Sequence, residues 1–145
     1  MPTRTGTTTW SGSLRDGSGS AELTSSKLGT FDVSWPKRTS EEAAASTSPE
    51  ELIGAAHSAC FSKAFSGQLA QAGATDIRLN VRADVRFGPD PEGGFGIRGI
   101  KLTARGSAQG IDEDTFVKAA EAAKVGCPVS KALAGTEISL DAALG

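Results

Sequence analysis

The sequence is short of the features that a nucleic-acid binder, a membrane protein or a structural zinc protein needs. It has no basic run and its formal net charge is −2, so the electrostatic footprint that grips a phosphate backbone is missing. No apolar stretch approaches the roughly 20 residues of a membrane span. The opening MPTRTGTTTW holds no apolar segment of signal-peptide length. A cytoplasmic protein with neither nucleic acid nor membrane as partner is expected. Histidine occurs once and cysteine twice, too few soft ligands for a structural zinc site. The cysteines, Cys60 and Cys127, stand 67 positions apart, far outside CxxC spacing. No metal is expected. In a reducing compartment two such cysteines are inert buried thiols or a redox pair rather than a permanent staple. The length suits a single domain over residues 1–145, large enough for a core without staples.

What the chain does have is one commanding stretch, Ser48 to Gly73. Ser48 can cap a helix, Pro49 suits its first position, and Glu51 three residues after Ser48 completes a capping box. Helix formers then continue to Gly73, a candidate left-handed terminus, for about 24 residues or roughly 36 Å. Leu52, Ile53, Ala56, Ala59, Cys60, Ala64, Phe65 and Leu69 spread over a broad apolar arc, so the helix is expected to be largely buried.

Before it, Arg4 to Trp35 is rich in Thr, Ser and Gly without a helical period and reads as an antiparallel strand meander. Asp16-Gly17 supplies a turn, and Phe31, Val33 and Trp35 alternate with Asp32 and Ser34. Pro36 is expected to end the third strand, and Lys37 to Thr47 to form a loop that delivers Arg38 toward the start of the long helix. Beyond Gly73, Ile77 to Phe87 and Phe95 to Ala108 flank the turn-rich GPDPEGG as a hairpin. A helix follows from Asp112 to about Lys124, with Ile111 and Phe116 as a hydrophobic staple. Gly126 stops it, and a short helix with Cys127 at its N-cap and Pro128 next ends at Gly135. A strand over Thr136 to Ala143 completes the order. Segregated strands and helices make the fold class α+β, an antiparallel sheet with a long central helix.

A reactive cysteine needs a cation or backbone donors to hold its thiolate. Cys60 lies about 18 Å along the helix from Ser48, beyond the reach of the helix dipole, so an arginine must supply the charge. Cys127, at a helix start, faces free backbone N–H groups. His57 precedes Cys60 by one turn on the same face. A protease-type Cys/His pair would also need an orienting third residue and an oxyanion hole, neither of which is marked, so His57 reads as a core residue beside the thiols. Glu50 and Glu51 read as dipole complements, with Glu51 already engaged as a cap. On pattern alone, inert thiols and a redox pair both stand.

The run SPEELIGAAHSACF, followed by VGCPVSKAL, resembles the OsmC branch of the OsmC/Ohr family, the osmotically inducible and organic-hydroperoxide-resistance proteins, and the likeness spans essentially the whole chain. The resemblance implies an OsmC-like fold, an intertwined homodimer with sites at the interface, and a thiol peroxidase without a cofactor. It implies Cys60 as the peroxidatic thiol and Cys127 as the resolving one. Glu50 and an arginine complete the site; Arg38 is the expected arginine, with Arg15 in LRDGSG the alternative. Organic hydroperoxides and hydrogen peroxide are the implied substrates, and an external dithiol reopens the Cys60–Cys127 disulfide.

Glu50 and Cys60 are about 15 Å apart along one helix, and antiparallel packing of two such helices would bring Glu50 of one copy toward Cys60 of the other. Ile53, Ala56, Phe61 and Phe65 are expected to form an apolar entrance favouring bulky organic hydroperoxides. The competing reading is a non-catalytic dimeric scaffold or ligand-binding domain with buried, inert cysteines.

Overall fold

The computed structural model describes residues 1–41 and 46–145. Two compact units share the chain, Met1–Leu52 and Ile53–Gly145.

The first unit is the expected meander. Strands β1 (Thr7–Ser11), β2 (Ser18–Glu22) and β3 (Thr30–Val33) pair antiparallel in sequence order. The Asp16-Gly17 turn closes with a bond from the Gly17 N–H to the Ser13 carbonyl, 2.8 Å. Phe31 and Val33 are half-buried and Asp32 is exposed, as the alternation requires. The expected loop after Pro36 is corrected: Trp35–Thr39 is a short helix, α1. Ser34 caps it by accepting from the Lys37 N–H at 3.4 Å, and proline's fixed φ fits a first helical turn as readily as it ends a strand. Residues 42–45 of that expected loop lie outside the described residues.

The long helix α2 runs Pro49–Gln71. Ser48 caps it through the Glu51 N–H at 3.2 Å. The reciprocal half of the capping box is replaced, because the Glu51 carboxylate accepts from the Thr47 hydroxyl at 2.6 Å instead. At the far end Gly73 adopts φ 95°, with bonds from Gly73 N–H to Ala70 carbonyl and from Ala74 N–H to Leu69 carbonyl, both 3.0 Å. This is a Schellman terminus, and its left-handed residue is why a glycine stands there. The expectation of a largely buried helix is corrected. One stripe is buried, Gly54, His57, Phe61, Phe65 and Leu69, whereas Ala55, Ala56 and Ala59 are exposed and Cys60 is half-buried at the stripe's margin.

In the second unit β4 (Thr75–Pro89) and β5 (Phe95–Gln109) form the expected hairpin, longer at both ends. Its turn closes between Asp90 and Gly94, with Gly93 and Gly94 at positive φ. Ile77, Leu79, Val81 and Val85 are half-buried, opposite exposed Arg78, Asn80, Arg82 and Arg86. Helix α3 (Glu113–Gly126) starts at Asp112, whose carboxylate accepts from the Thr115 N–H at 2.9 Å. Helix α4 spans only Pro128–Ala132. The last strand, β6 (Ile138–Leu144), pairs parallel to β5, so this sheet is mixed rather than purely antiparallel. The crossover through α3 and α4 supplies the length that a parallel return needs.

The core lies between α2, α3 and β5. Phe65 packs edge-on to Phe116 at 4.8 Å between ring centroids and on Phe61 at 5.5 Å, with Leu69, Leu102, Ala104 and Ala120 around them. Mixed α+β architecture is thus established. The buried face of α2 is what fixes the height and rotation of Cys60.

Candidate active site

Cys60 and Cys127, 67 positions apart in sequence, come together because α4 starts where α3 ends, beside α2. Both are free thiols, Cys127 fully buried and Cys60 half-buried, and each lies near enough to act on the other's ionisation. Burial pushes the Cys60 thiol above its ordinary pKa; the Val129 N–H opposes this, while the neighbouring Cys127 adds to it. Lys63 offers Cys60 weak Coulombic help. Cys127 stands on the other side of its ordinary value. Burial raises it, but the Ser130 N–H, the Cys60 thiol, the Ser130 hydroxyl and the Val129 N–H together outweigh burial and bring it down. The Cys127 sulfur makes no fully formed capping bond to α4, although φ −60°, ψ 123° give it N-cap geometry. The donors act on it at longer range. Two adjacent thiols share one negative charge more readily than they carry two.

Behind the sulfurs, the His57 ring nitrogen Nε2 lies 2.8 Å from the Ser130 hydroxyl. His57 is wholly buried, which depresses its pKa, and its Nδ1 has no hydrogen-bond partner among the described residues. Sequence reasoning placed His57 beside the thiols but missed Ser130. The available signal was its position three residues after an N-cap cysteine, where a side chain or N–H turns back toward the cap.

Arg38 and Glu50 are brought together in the first unit. The Arg38 guanidinium donates to one carboxylate oxygen of Glu50 from Nη2 at 2.7 Å and from Nε at 3.0 Å. Glu50 is buried and its second oxygen, Oε2, has no hydrogen-bond partner among the described residues. Arg15, the alternative arginine, sits exposed in the β1–β2 turn. Arg38 also lines a cavity of about 260 Å³ whose other walls are Trp10, Leu14, Val33, Trp35 and Pro49, with Ser34 and Thr47, a mostly apolar surface. The sequence did not mark this cavity, because its residues come from β1, the β1–β2 turn, β3, α1 and the start of α2. The expected entrance built from Phe61 and Phe65 is corrected: both rings are wholly buried in the core, and only Ile53 and Ala56 keep exposure beside the thiol.

A pair of adjacent thiols with unequal acidity is the constellation of a dithiol redox protein, and an arginine fixed by a buried carboxylate is a ready anion partner. Among the described residues there is no cluster of three or more His, Cys, Asp or Glu suited to a metal ion. None of the described helices is long and apolar enough to cross a membrane.

The OsmC family, described as OsmC-like protein, matches residues 41–141. The chain is 40% identical over 132 residues to "Peroxiredoxin OsmC" of Escherichia coli (strain K12), covering 91% of this chain and 90% of that protein. It is 33% identical over 113 residues to "Organic hydroperoxide resistance protein-like 2" of Staphylococcus epidermidis, covering 76% and 77% of the two chains. A crystal structure of an organic hydroperoxide resistance protein from Elizabethkingia anophelis superposes with a TM-score of 0.78 at 26% identity, covering 100% of this chain and 98% of that one. The chain belongs to the OsmC/Ohr family of OsmC-like proteins.

Proposed function

We propose that this protein is a thiol-dependent peroxidase that reduces organic hydroperoxides, and hydrogen peroxide, through Cys60 and Cys127. The observation that carries the reading is the meeting of these two free thiols beside α2. The names of the relatives support the same chemistry. The Cys60 thiolate attacks the O–O bond of the hydroperoxide, forming a sulfenic acid and releasing an alkoxide that takes up a proton to leave as the alcohol. The Cys127 sulfur then displaces the sulfenic oxygen as water and forms the disulfide, which an external dithiol reduces, becoming oxidised itself.

Cys60 needs a cation that its own surroundings supply only weakly through Lys63. Arg38, held by Glu50, is proposed for this task, stabilising thiolate and departing oxygen. The helical rise puts Glu50 about 15 Å from Cys60 along α2, so the pair is proposed to act on the thiol of a second copy, in an intertwined homodimer of OsmC-like domains spanning residues 1–145. Among the described residues of Met1–Leu52 only Gly17 and Glu50 are buried, and a three-stranded sheet without a covered apolar face has little stability of its own. A second copy would cover it. The cavity beside Arg38 would then hold the organic part of the substrate.

The test is stopped-flow consumption of cumene hydroperoxide with a dithiol, followed by intact mass. Cys60→Ser is expected to abolish reaction, and Cys127→Ser to react once and accumulate a sulfenic or overoxidised species. A Cys60→Ser variant that reacts like wild type removes the proposal and leaves the scaffold reading. Light scattering on the same samples tests the assembly: a monodisperse, fully active monomer rules out the shared site.

A further inference from the structure

His57 and Ser130 have no task in the peroxidase reaction, yet they are buried, at 0% and 7% exposure, and bonded to each other. Their bond joins the two elements that carry the cysteines. His57 is one turn before Cys60 on α2, and Ser130 is three residues after Cys127 on α4. Filling space does not require a histidine there, since an apolar side chain would do so without stranding the buried Nδ1. That stranded atom also fixes the tautomer. A buried N–H without an acceptor is rarer and costlier than an unused lone pair, so the ring proton belongs on Nε2, from which it is donated to the Ser130 oxygen. The Ser130 hydroxyl hydrogen is then turned away from His57 and available to Cys127, three residues earlier at the N-cap of α4, with which it makes no completed hydrogen bond in this structure.

We infer that His57 and Ser130 form a donor relay, His57 Nε2–H to Ser130 Oγ–H to Cys127 Sγ, that positions Cys127 as the attacking thiolate in the resolving step. Both are positioning residues, His57 acting through Ser130. The relay rests on the peroxidase reading of the two cysteines. In the step it governs, the S–S bond forms as the S–O bond of the Cys60 sulfenic acid breaks. The departing hydroxide takes up the proton that Cys127 has given up, leaving water. The lowered pKa of Cys127, to which the Ser130 hydroxyl contributes, is the electrostatic counterpart of this geometry. The other ionisable groups around the pair are few. Lys63 on α2 acts on Cys60, Lys124 on α3 is 3.5 Å from Glu121, and Lys131 on α4 is exposed.

The relay predicts a defect in one step with a pH signature. In single turnover with cumene hydroperoxide, His57→Leu and Ser130→Ala are expected to slow disulfide formation more than the first oxidation. Their pH midpoint for disulfide formation should move upward, and a midpoint one pH higher slows that phase by up to about tenfold at pH values below it. His57→Gln, whose amide can still donate to Ser130, is expected to restore most of the wild-type profile. Midpoints unmoved in both His57→Leu and Ser130→Ala overturn the relay, and so does an equal slowing of oxidation and resolution, which marks a merely structural role. A second measurement does not depend on peroxide chemistry. In a Cys60→Ser background, ultraviolet thiolate absorbance against pH titrates Cys127 directly, and Ser130→Ala must raise its midpoint for the relay to stand. If wild type proves inert to peroxide, the peroxidase reading fails by itself, while this titration still decides the relay.

Discussion

Replacing Glu50 with glutamine keeps the size and shape of the side chain but removes the charge that holds Arg38. Two guanidinium bonds converge on one carboxylate oxygen, at 2.7 and 3.0 Å, and the carboxylate is buried while the arginine side chain is 35% exposed. A hydrogen bond to a charged group contributes about 1.5–3 kcal/mol. Solvent around a one-third exposed partner reduces that by roughly half, to about 0.8–1.5 kcal/mol. If the proposed cation is oriented by this carboxylate, the same energy appears in the barrier for peroxide attack, a loss of roughly 4- to 12-fold in the oxidation rate constant. The assay is stopped-flow oxidation by cumene hydroperoxide under pseudo-first-order conditions. Glu51→Gln serves as control, because Glu51 is exposed and bonded to Thr47, and is expected to retain the wild-type rate. Arg38→Lys should fall at least as far as Glu50→Gln, since an ammonium cannot reproduce the two-nitrogen grip. A wild-type oxidation rate in Glu50→Gln would refute the orienting role of the pair.

Other outcomes follow from the core, the buried histidine and the cavity. Phe65→Ala removes a wholly buried ring that touches Phe61 and Phe116; it is expected to cost about 3–5 kcal/mol, seen as a fall in melting temperature on the order of 10 °C. His57 is held below its ordinary pKa by burial, so its folded form resists the proton that the unfolded chain accepts near pH 6.5. Stability should therefore be level above about pH 6.5 and decline as pH falls toward the folded-state value. His57→Gln should lose that part of the slope in thermal melts across pH. Trp10→Ala opens the apolar cavity beside Arg38 and is expected to lower the rate-constant ratio of cumene hydroperoxide to hydrogen peroxide by about fivefold, the scale of a partly exposed apolar contact. An unchanged ratio would show that the cavity does not receive the substrate's organic group.

Local chemistry was legible in the chain because it acts over a few residues. Ser48, Pro49 and Gly73 mark the ends of α2, Asp112 the start of α3, and the alternation of Ile77 to Val85 one face of β4, and each of these signals operates between near neighbours. The approach of Arg38 to the first turn of α2 followed from a short connection. Short-range signals also competed where the reading failed. Pro36 is compatible with a strand end and with a helix start, and the cap from Ser34 decided for the helix. Thr47 took the Glu51 carboxylate that a capping box would have turned inward.

What only the tertiary structure decided involves partners far apart in sequence. An apolar arc on α2 does not say which part of it meets the sheet; packing chose the stripe of His57, Phe61, Phe65 and Leu69 and left Ala55, Ala56 and Ala59 exposed. That choice drew Phe61 and Phe65 into the core, and the apolar cavity beside Arg38 is walled by Trp10, Leu14 and Trp35, which no local pattern brings together. The parallel return of β6 depends on how α3 and α4 cross the sheet, which no local period encodes. The bond between His57 and Ser130 is of the same kind. It joins residues 73 positions apart, and it exists only because burying one face of α2 fixes a histidine beside the helix that carries Cys127.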